Sequence, residues 1–156
     1  MQENTLHSRL LSHQVAAPDL AITIATIKDR IIKTGDKPHV TIKRQLQIAD
    51  DLAAFDFGRF LLQHRGVNGF WTDYFLTHPW DGRKTGLNNA QQPFTALESF
   101  ILDRAPIILA TQERFLHFLT ANQLAVKNGA TLACIPSGMM GELLYLNFRN
   151  FNVGAK

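Results

Sequence analysis

The stretch GATLACIPSGMMGELLYLNF, residues 129–148, differs in periodicity from the rest of the chain. Residues 130–135 form a short apolar run that begins after Gly129 and is stopped by Pro136, a pattern typical of a buried strand. The next five residues make a glycine-containing turn, and residues 142–148 return to helical spacing. We therefore predict a strand, a tight turn and a helix, in this order.

Upstream of this stretch the apolar spacing is helical. Apolar residues from Leu20 to Ile31 recur at helical spacing, and the predicted helix ends at Thr34 and Gly35. A stripe of three- and four-residue steps predicts one long amphipathic helix over residues 39–65. We expect Gly58 to bend this helix and Gly66 to end it in the left-handed conformation.

Three further segments complete the helical region. Residues 68–80 predict a short aromatic helix, followed by a surface loop to about Gln92. Thr95 and Glu98 form a capping-box pair at the start of the next helix, which Pro106 must end. Thr111 is predicted to cap a last helix, which residues 128–129 stop.

Composition limits the classes of function. The chain has 156 residues, 46% of them hydrophobic, and a formal net charge of +3 with scattered basic residues. These values fit one ordinary domain and make nucleic-acid binding unlikely. No signal peptide or run of about 18 apolar residues is visible, so we expect a soluble protein with no membrane partner. A single cysteine, Cys134, fits a reducing cytoplasm, and the histidines lack the i, i+4 spacing of a helical metal site.

The layout of residues 129–148 is one in which α/β proteins bind cofactors. In doubly wound folds a cofactor lies beyond the carboxyl end of the first strand, next to a glycine turn and a helix N-terminus. The stretch resembles the first motif of class I S-adenosylmethionine-dependent methyltransferases. Gly138 matches the middle glycine of the acidic-x-Gly-x-Gly-x-Gly pattern, and Gly141 stands one place after the third. Cys134, Pro136 and Met140 occupy the positions of the acid and of the other two glycines.

Two helical runs carry a second resemblance. DFGRFLLQHRGVNGFWTDYFLTHPW, residues 56–80, and DRAPIILATQERFLHFL, residues 103–119, look like helical leaders of uncharacterised bacterial methyltransferase-like proteins. The resemblance implies a mainly α N-terminal region, residues 1–128, followed by the first strand, turn and helix of a Rossmann-like α/β methyltransferase domain, residues 129–156. That domain is incomplete here, so we expect this fragment to be inactive.

The resemblance also implies a cofactor and a site. The cofactor is S-adenosyl-L-methionine, the methyl acceptor is unknown, and the cofactor-binding residues are those of the turn: Pro136, Ser137, Gly138, Met139, Met140 and Gly141. We assign no catalytic residue. Methyl transfer needs little acid–base help, because the sulfonium is already activated and the enzyme has mainly to align the acceptor and exclude water.

Aromatic residues near the polar loop are candidates for a lid or a substrate contact. They are Trp71, Tyr74, His78 and Trp80. Loops on a rigid scaffold are where binding groups concentrate, which favours Trp80 and His78. The alternative interpretation of this aromatic segment is a core cluster.

Other functions fit parts of the sequence. A non-catalytic helical interaction module is the main alternative, with the aromatic segment and residues 143–148 docking on a partner. A nucleotide cofactor such as NAD or a flavin would require a fuller Gly-x-Gly-x-x-Gly pattern than Gly138 and Gly141 provide. An unpaired strand also predicts self-association through its open edge.

Overall fold

The computed structural model describes residues 17–133 and 140–146, and its regular structure there is all helical. The helices are α1 Leu20–Thr34, α2 Ile42–Ala53, α3 Asp56–His64, α4 Gly69–Thr77, α5 Gly82–Thr85, α6 Ala96–Arg104, α7 Pro106–Lys127 and α8 Gly141–Leu144. These described residues contain no strand; isolated bridges join Lys37 to Val40 and Leu87 to Pro93. The prediction of a mainly α N-terminal region is confirmed.

Helix α1 begins and ends where the sequence predicts. The Asp19 carboxylate accepts a hydrogen bond from the amide of Ile22 at 2.9 Å, which satisfies one of the free amides of the first turn. At the other end Gly35 has a φ of 84°, a conformation that favours glycine. Helix α1 packs against α2 and α3 on one side of the molecule.

The single long helix predicted over residues 39–65 is wrong, because the chain turns a corner between α2 and α3. Phe55 has extended backbone, with φ −136° and ψ 156°, and its side chain is buried. Gly58 presses against the end of α2: a Cβ at Gly58 would lie 2.1 Å from the carbonyl oxygen of Leu52. Burial of Phe55 and this close approach of backbones outweigh the continuous helical periodicity.

The aromatic helix α4 follows after a short connection. Arg65 takes the left-handed conformation, with φ 53°, one residue before the predicted stop at Gly66. The side-chain oxygen of Asn68 then accepts a hydrogen bond from the amide of Trp71 at 3.0 Å and caps α4. The predicted short helix within residues 68–80 is confirmed.

A mostly aromatic core holds α3, α4, α6 and α7 together. Its buried members are Phe55, Phe57, Trp71, Phe75, Leu76, Leu102 and Phe115. The rings of Phe57 and Trp71 stack with centroids 5.2 Å apart and planes 27° apart. Aromatic side chains bury large apolar areas, and this burial is the main driving force for packing helices together.

Helices α6 and α7 meet at a proline. Thr95 caps α6 as predicted, its hydroxyl accepting a hydrogen bond from the amide of Glu98 at 3.2 Å. Pro106 ends α6 as predicted and is itself the first residue of α7, a position that needs no amide proton. Thr111 therefore does not cap a helix. It lies inside α7, and its hydroxyl donates to the carbonyl of Ile107 at 2.7 Å.

The predicted strand, turn and helix are described only in part. Gly129, with φ 83°, follows α7 at the predicted stop. Residues 130–133 have no regular secondary structure, so the first four residues of the predicted strand do not form one. A strand needs a neighbour to bond, and no other strand exists among the described residues. Helix α8 is shorter than the predicted helix 142–148, whose last two residues lie outside the described part, as do residues 134–135 of the strand.

Candidate functional site

The end of the predicted cofactor turn lies against α7. Met140 is left-handed, with φ 52° and ψ 34°, a conformation that is uncommon outside glycine. Gly141 begins α8 and is buried, and a Cβ there would lie 3.3 Å from Cε2 of Phe115. The side of α7 therefore leaves little room for a side chain at this position. The other four predicted cofactor residues, Pro136, Ser137, Gly138 and Met139, lie outside the described residues.

Three aromatic rings pack together beside this helix start, and we call them the aromatic cluster: Trp80, Phe115 and Tyr145. Their centroids are 5.9 Å apart for Trp80 and Phe115, 5.6 Å for Trp80 and Tyr145, and 6.1 Å for Phe115 and Tyr145. The last pair is almost perpendicular, at 89°, which is a favourable edge-to-face arrangement. The cluster joins the segment after α4 to α7 and to the end of α8.

A hydrogen bond adds to this junction. The Tyr145 hydroxyl donates to Oδ1 of Asp73 on α4 at 2.8 Å. Partial burial, with the hydrogen bond to Asp73 and the charges of Asp73 and Asp81, raises the pKa of Tyr145 to about 12. The hydroxyl therefore keeps its proton at neutral pH and remains a donor, and it ties α8 to α4 as well as to α7.

His78, a predicted site residue beside the polar loop, is buried, with 2% of its surface exposed. Its Nε2 lies 3.0 Å from Oδ1 of Asp103, and the Arg83 guanidinium donates to the same oxygen at 2.6 Å. Burial alone raises the pKa of the Asp103 carboxyl. The hydrogen bonds from Arg83 and His78, and the charges of those two side chains, outweigh this and hold the pKa below its usual range.

The other imidazole nitrogen of His78 has no room for a substrate. Nδ1 is buried and lacks a hydrogen-bond partner among the described residues. It faces Gly82 so closely that a Cβ at Gly82 would lie 2.2 Å away. A general acid or base must come within hydrogen-bond reach of the group it protonates or deprotonates. The His78–Asp103–Arg83 group is therefore a structural tie between α5 and α6.

A second buried polar group lies between α4 and α6. Glu98 is fully buried, and its carboxyl accepts hydrogen bonds from the Tyr74 hydroxyl at 2.7 Å and from the Asn88 amide at 3.2 Å. Burial, with the hydrogen bond to Glu98 and its charge, raises the pKa of Tyr74. Asn88 Oδ1 also accepts from the amides of Ala90 and Gln92, at 3.0 and 3.1 Å. Glu98 thus holds the loop before α6 in place through Asn88. Because the Glu98 carboxyl bonds Tyr74 and Asn88, it does not turn back to the amide of Thr95, and the capping box is not completed.

The four lid candidates do not form one surface. Trp71 is buried in the core, Tyr74 is bonded to Glu98, and His78 is buried beside Asp103. Trp80 lies beside α8 and is 37% exposed. The structure therefore brings only Trp80 of the four next to the described end of the turn.

Sequence patterns missed the residues that position this region. Phe115 and Tyr145 lie inside predicted helices, and no pattern points to Asp73, Glu98 or Asp103 as hydrogen-bond partners. The one available signal is the density of aromatic residues in residues 68–80. It indicates that these side chains pack together, but it does not identify the residues of other helices that pack against them. The described residues contain no group of three or more His, Cys, Asp or Glu placed to hold a metal ion.

Comparisons with known proteins give one informative similarity. No protein-family model matches this sequence, and no curated protein matches it significantly. Among solved structures the chain is similar to a possible exported protein from Bordetella parapertussis, with a TM-score of 0.68 and 32% sequence identity. The similarity covers 95% of this chain and 45% of the Bordetella chain. The chain thus spans less than half the length of the solved chain that it matches.

Proposed function

We propose that the chain is the N-terminal portion of a class I S-adenosylmethionine-dependent methyltransferase whose methyl acceptor is unassigned. The observation that carries the proposal is the left-handed Met140 leading into a buried Gly141 at the start of α8. A glycine-containing turn into a helix, placed after an apolar run, is where doubly wound folds hold a cofactor. The sequence resemblance of residues 129–148 supports the same assignment.

The chemistry of the described residues is compatible with this role. S-adenosylmethionine supplies an activated methyl group when it is bound. The protein then has to hold the turn in place, align an acceptor and exclude water. The aromatic cluster fixes the end of the turn against α7. No acid–base group is required, which agrees with a structural role for the His78–Asp103 pair.

The extent of the Bordetella similarity supports a longer functional unit. More than half of the length of that solved chain lies outside the part that this chain matches. In the family that the sequence resembles, a second strand supplies an acidic residue for the ribose of the cofactor. We therefore expect the 156-residue chain to lack cofactor affinity by itself and the full gene product to have it.

Calorimetric titration with S-adenosylhomocysteine tests the proposal. The titration is run on the 156-residue chain and on the full product of its gene. We expect heat of binding from the longer form only, and loss of it in a Gly138→Val variant. Lys33→Ala, an exposed change on α1, is the matched control and should bind normally. Absence of binding to both forms overturns the proposal.

A non-catalytic helical interaction module remains the second candidate. Large apolar side chains are exposed on α7 and α8, including Leu124 at 59% and Leu144 at 63%. Exposed apolar patches often mark protein contacts. A full gene product that forms a stable complex with another protein and does not bind S-adenosylhomocysteine favours this alternative.

We also propose a cytoplasmic location. These 156 residues contain one cysteine, Cys134, and low cysteine content suits a reducing compartment. In the described residues no helix combines the length and apolarity needed to cross a membrane. The similar Bordetella protein is called a possible exported protein. Fractionation of cells that produce the native protein decides between the compartments, and accumulation outside the cytoplasm contradicts the proposal.

A further inference from the structure

The aromatic cluster presents two of its three rings to solvent. Trp80 is 37% exposed and Tyr145 is 41% exposed, whereas Phe115 is buried. The rings of Trp80 and Tyr145 meet at 68° with their centroids 5.6 Å apart, so the two exposed rings are direct neighbours with different orientations. The face of an aromatic ring attracts positive charge, and neighbouring rings that are tilted against each other are the arrangement that holds organic cations in proteins.

Two carboxylates lie near the hydroxyl end of Tyr145. Oδ1 of Asp73 accepts the hydrogen bond from this hydroxyl at 2.8 Å, and Oδ2 has no hydrogen-bond partner among the described residues. Asp81 directly follows Trp80 in the chain and is exposed. After partial burial and the hydrogen bond to Asp73, the charges of Asp73 and Asp81 further raise the pKa of Tyr145. Both negative charges are therefore close to the exposed rings.

These two carboxylates have no cationic partner in the described part of the chain. Neither of them forms an ion pair there with a lysine, an arginine or a histidine. Arg83, two residues after Asp81, is bonded instead to Asp103 at 2.6 Å. Two negative charges without a counter-charge, beside two exposed aromatic rings, are complementary to a cation.

The surface distinguishes between kinds of cation. A hard metal ion needs several oxygen ligands at once, and the described residues contain no group of three or more His, Cys, Asp or Glu placed to supply them. An alkylated ammonium ion packs its methyl groups on aromatic faces and needs no direct ligand for its charge. We propose that Trp80 and Tyr145, with Asp73 and Asp81, form a binding site for a small alkylated ammonium ion. This inference does not depend on the proposed function.

Titration followed by nuclear magnetic resonance tests the inference, with choline as the probe and neohexanol as its uncharged carbon isostere. The chain has two tryptophans, so the indole N–H signal of buried Trp71 is an internal reference for that of Trp80. Sodium chloride keeps the ionic strength constant. We expect a saturable shift of the Trp80 signal with choline below about 100 mM. Neohexanol should bind at least about threefold more weakly, because it lacks the charge.

Substitutions locate the site. Asp81→Asn removes one charge at an exposed position and should weaken choline binding at least about twofold, whereas the exposed change Asp29→Asn on α1 is the matched control and should bind normally. Tyr145→Leu removes one of the two rings and should abolish saturation. Because Tyr145→Leu also removes a contact of α8, Asp81→Asn is the deciding variant.

Four outcomes overturn the inference. They are no saturable shift with choline, equal affinity for neohexanol, unchanged binding in Asp81→Asn, and parallel shifts of the Trp71 and Trp80 signals. Equal affinity for neohexanol identifies an apolar surface without preference for charge. Parallel shifts of the two signals identify a general effect of the added salt on the chain.

Discussion

Individual polar side chains inside the helical region hold segments that the apolar core does not reach. Glu98 receives one hydrogen bond from α4 and one from the loop before α6, and Asp103 receives one from His78 and one from Arg83 of α5. A buried polar group stabilises a fold when its partners are satisfied and destabilises it when one partner is removed. These two carboxyl groups therefore help to hold residues 78–93 in place.

Removing the Glu98 carboxyl should destabilise the chain. Glu98→Ala leaves the Tyr74 hydroxyl and the Asn88 amide without their acceptor and opens a cavity, with an expected loss of about 2–4 kcal/mol in the free energy of unfolding. Urea denaturation followed by circular dichroism measures it. Glu113→Ala, at a glutamate whose side chain is 69% exposed, is the control and should change stability by less than about 1 kcal/mol. Equal losses for the two variants contradict the role given to Glu98.

Asp103 should contribute to the pH dependence of stability. Its pKa is lower in the folded chain than the usual value of about 3.9, so its contribution is present above that value and is lost as the pH falls through the folded pKa. Asp103→Asn should therefore cost more stability at about pH 6 than at about pH 2.5. Urea denaturation at both pH values measures the difference. Asp29→Asn on the exposed side of α1 is the control, and a pH-independent cost at Asp103 contradicts the expectation.

At the scale of elements, helix ends are decided by residues that change the backbone. Pro106 both ends α6 and begins α7, and Thr95 supplies the cap of α6. Thr111 follows five residues after Pro106, and its hydroxyl bonds back to the preceding turn. The same residue type therefore serves as a cap in one helix and as an interior residue in the next.

Substitution of the two threonines separates these roles. Thr95→Ala removes the acceptor for the Glu98 amide and should cost about 1 kcal/mol of unfolding free energy. Thr111→Ala, inside α7, should be neutral or slightly stabilising, because alanine is the better helix former. Thermal unfolding of both variants in parallel measures this. A larger loss at Thr111 than at Thr95 would restore the original prediction of a cap at Thr111.

At the scale of the whole molecule, α7 packs against both the main core and the aromatic cluster. Phe115 belongs to the main core and also to the aromatic cluster that holds the start of α8. Three residues later, Phe118 is 51% exposed. Burial of Phe115 therefore stabilises the helical region, whereas the half-exposed ring of Phe118 contributes less.

Two phenylalanines test this division. In the 156-residue chain, Phe115→Ala should cost about 3–5 kcal/mol, the usual loss for a buried phenylalanine. Phe118→Ala should change stability by less than about 1 kcal/mol, because its side chain is half exposed. Urea denaturation gives both values. Equal costs at the two positions contradict this division.

The fold was predictable where local signals act alone. Helix α1, the aromatic helix α4, the cap at Thr95 and the stops at Pro106 and Gly129 follow from capping chemistry and backbone restrictions within a few residues. The candidate site was predictable only in part. Trp80 lies beside the described end of the turn, but its neighbours Phe115 and Tyr145 come from distant helices, and no local pattern relates them.

The sequence by itself determined a mainly helical chain, both ends of α1 and α6 and the end of α7, since hydrophobic period, caps and proline act over one or two turns. Tertiary structure alone decided the corner at Phe55, where burial of the ring and the approach of Gly58 to Leu52 outweigh helical spacing. It also decided the burial of His78 and Glu98, because a polar side chain enters a core only when distant donors and acceptors meet it there. Those partners come together by packing, which one-dimensional spacing does not encode.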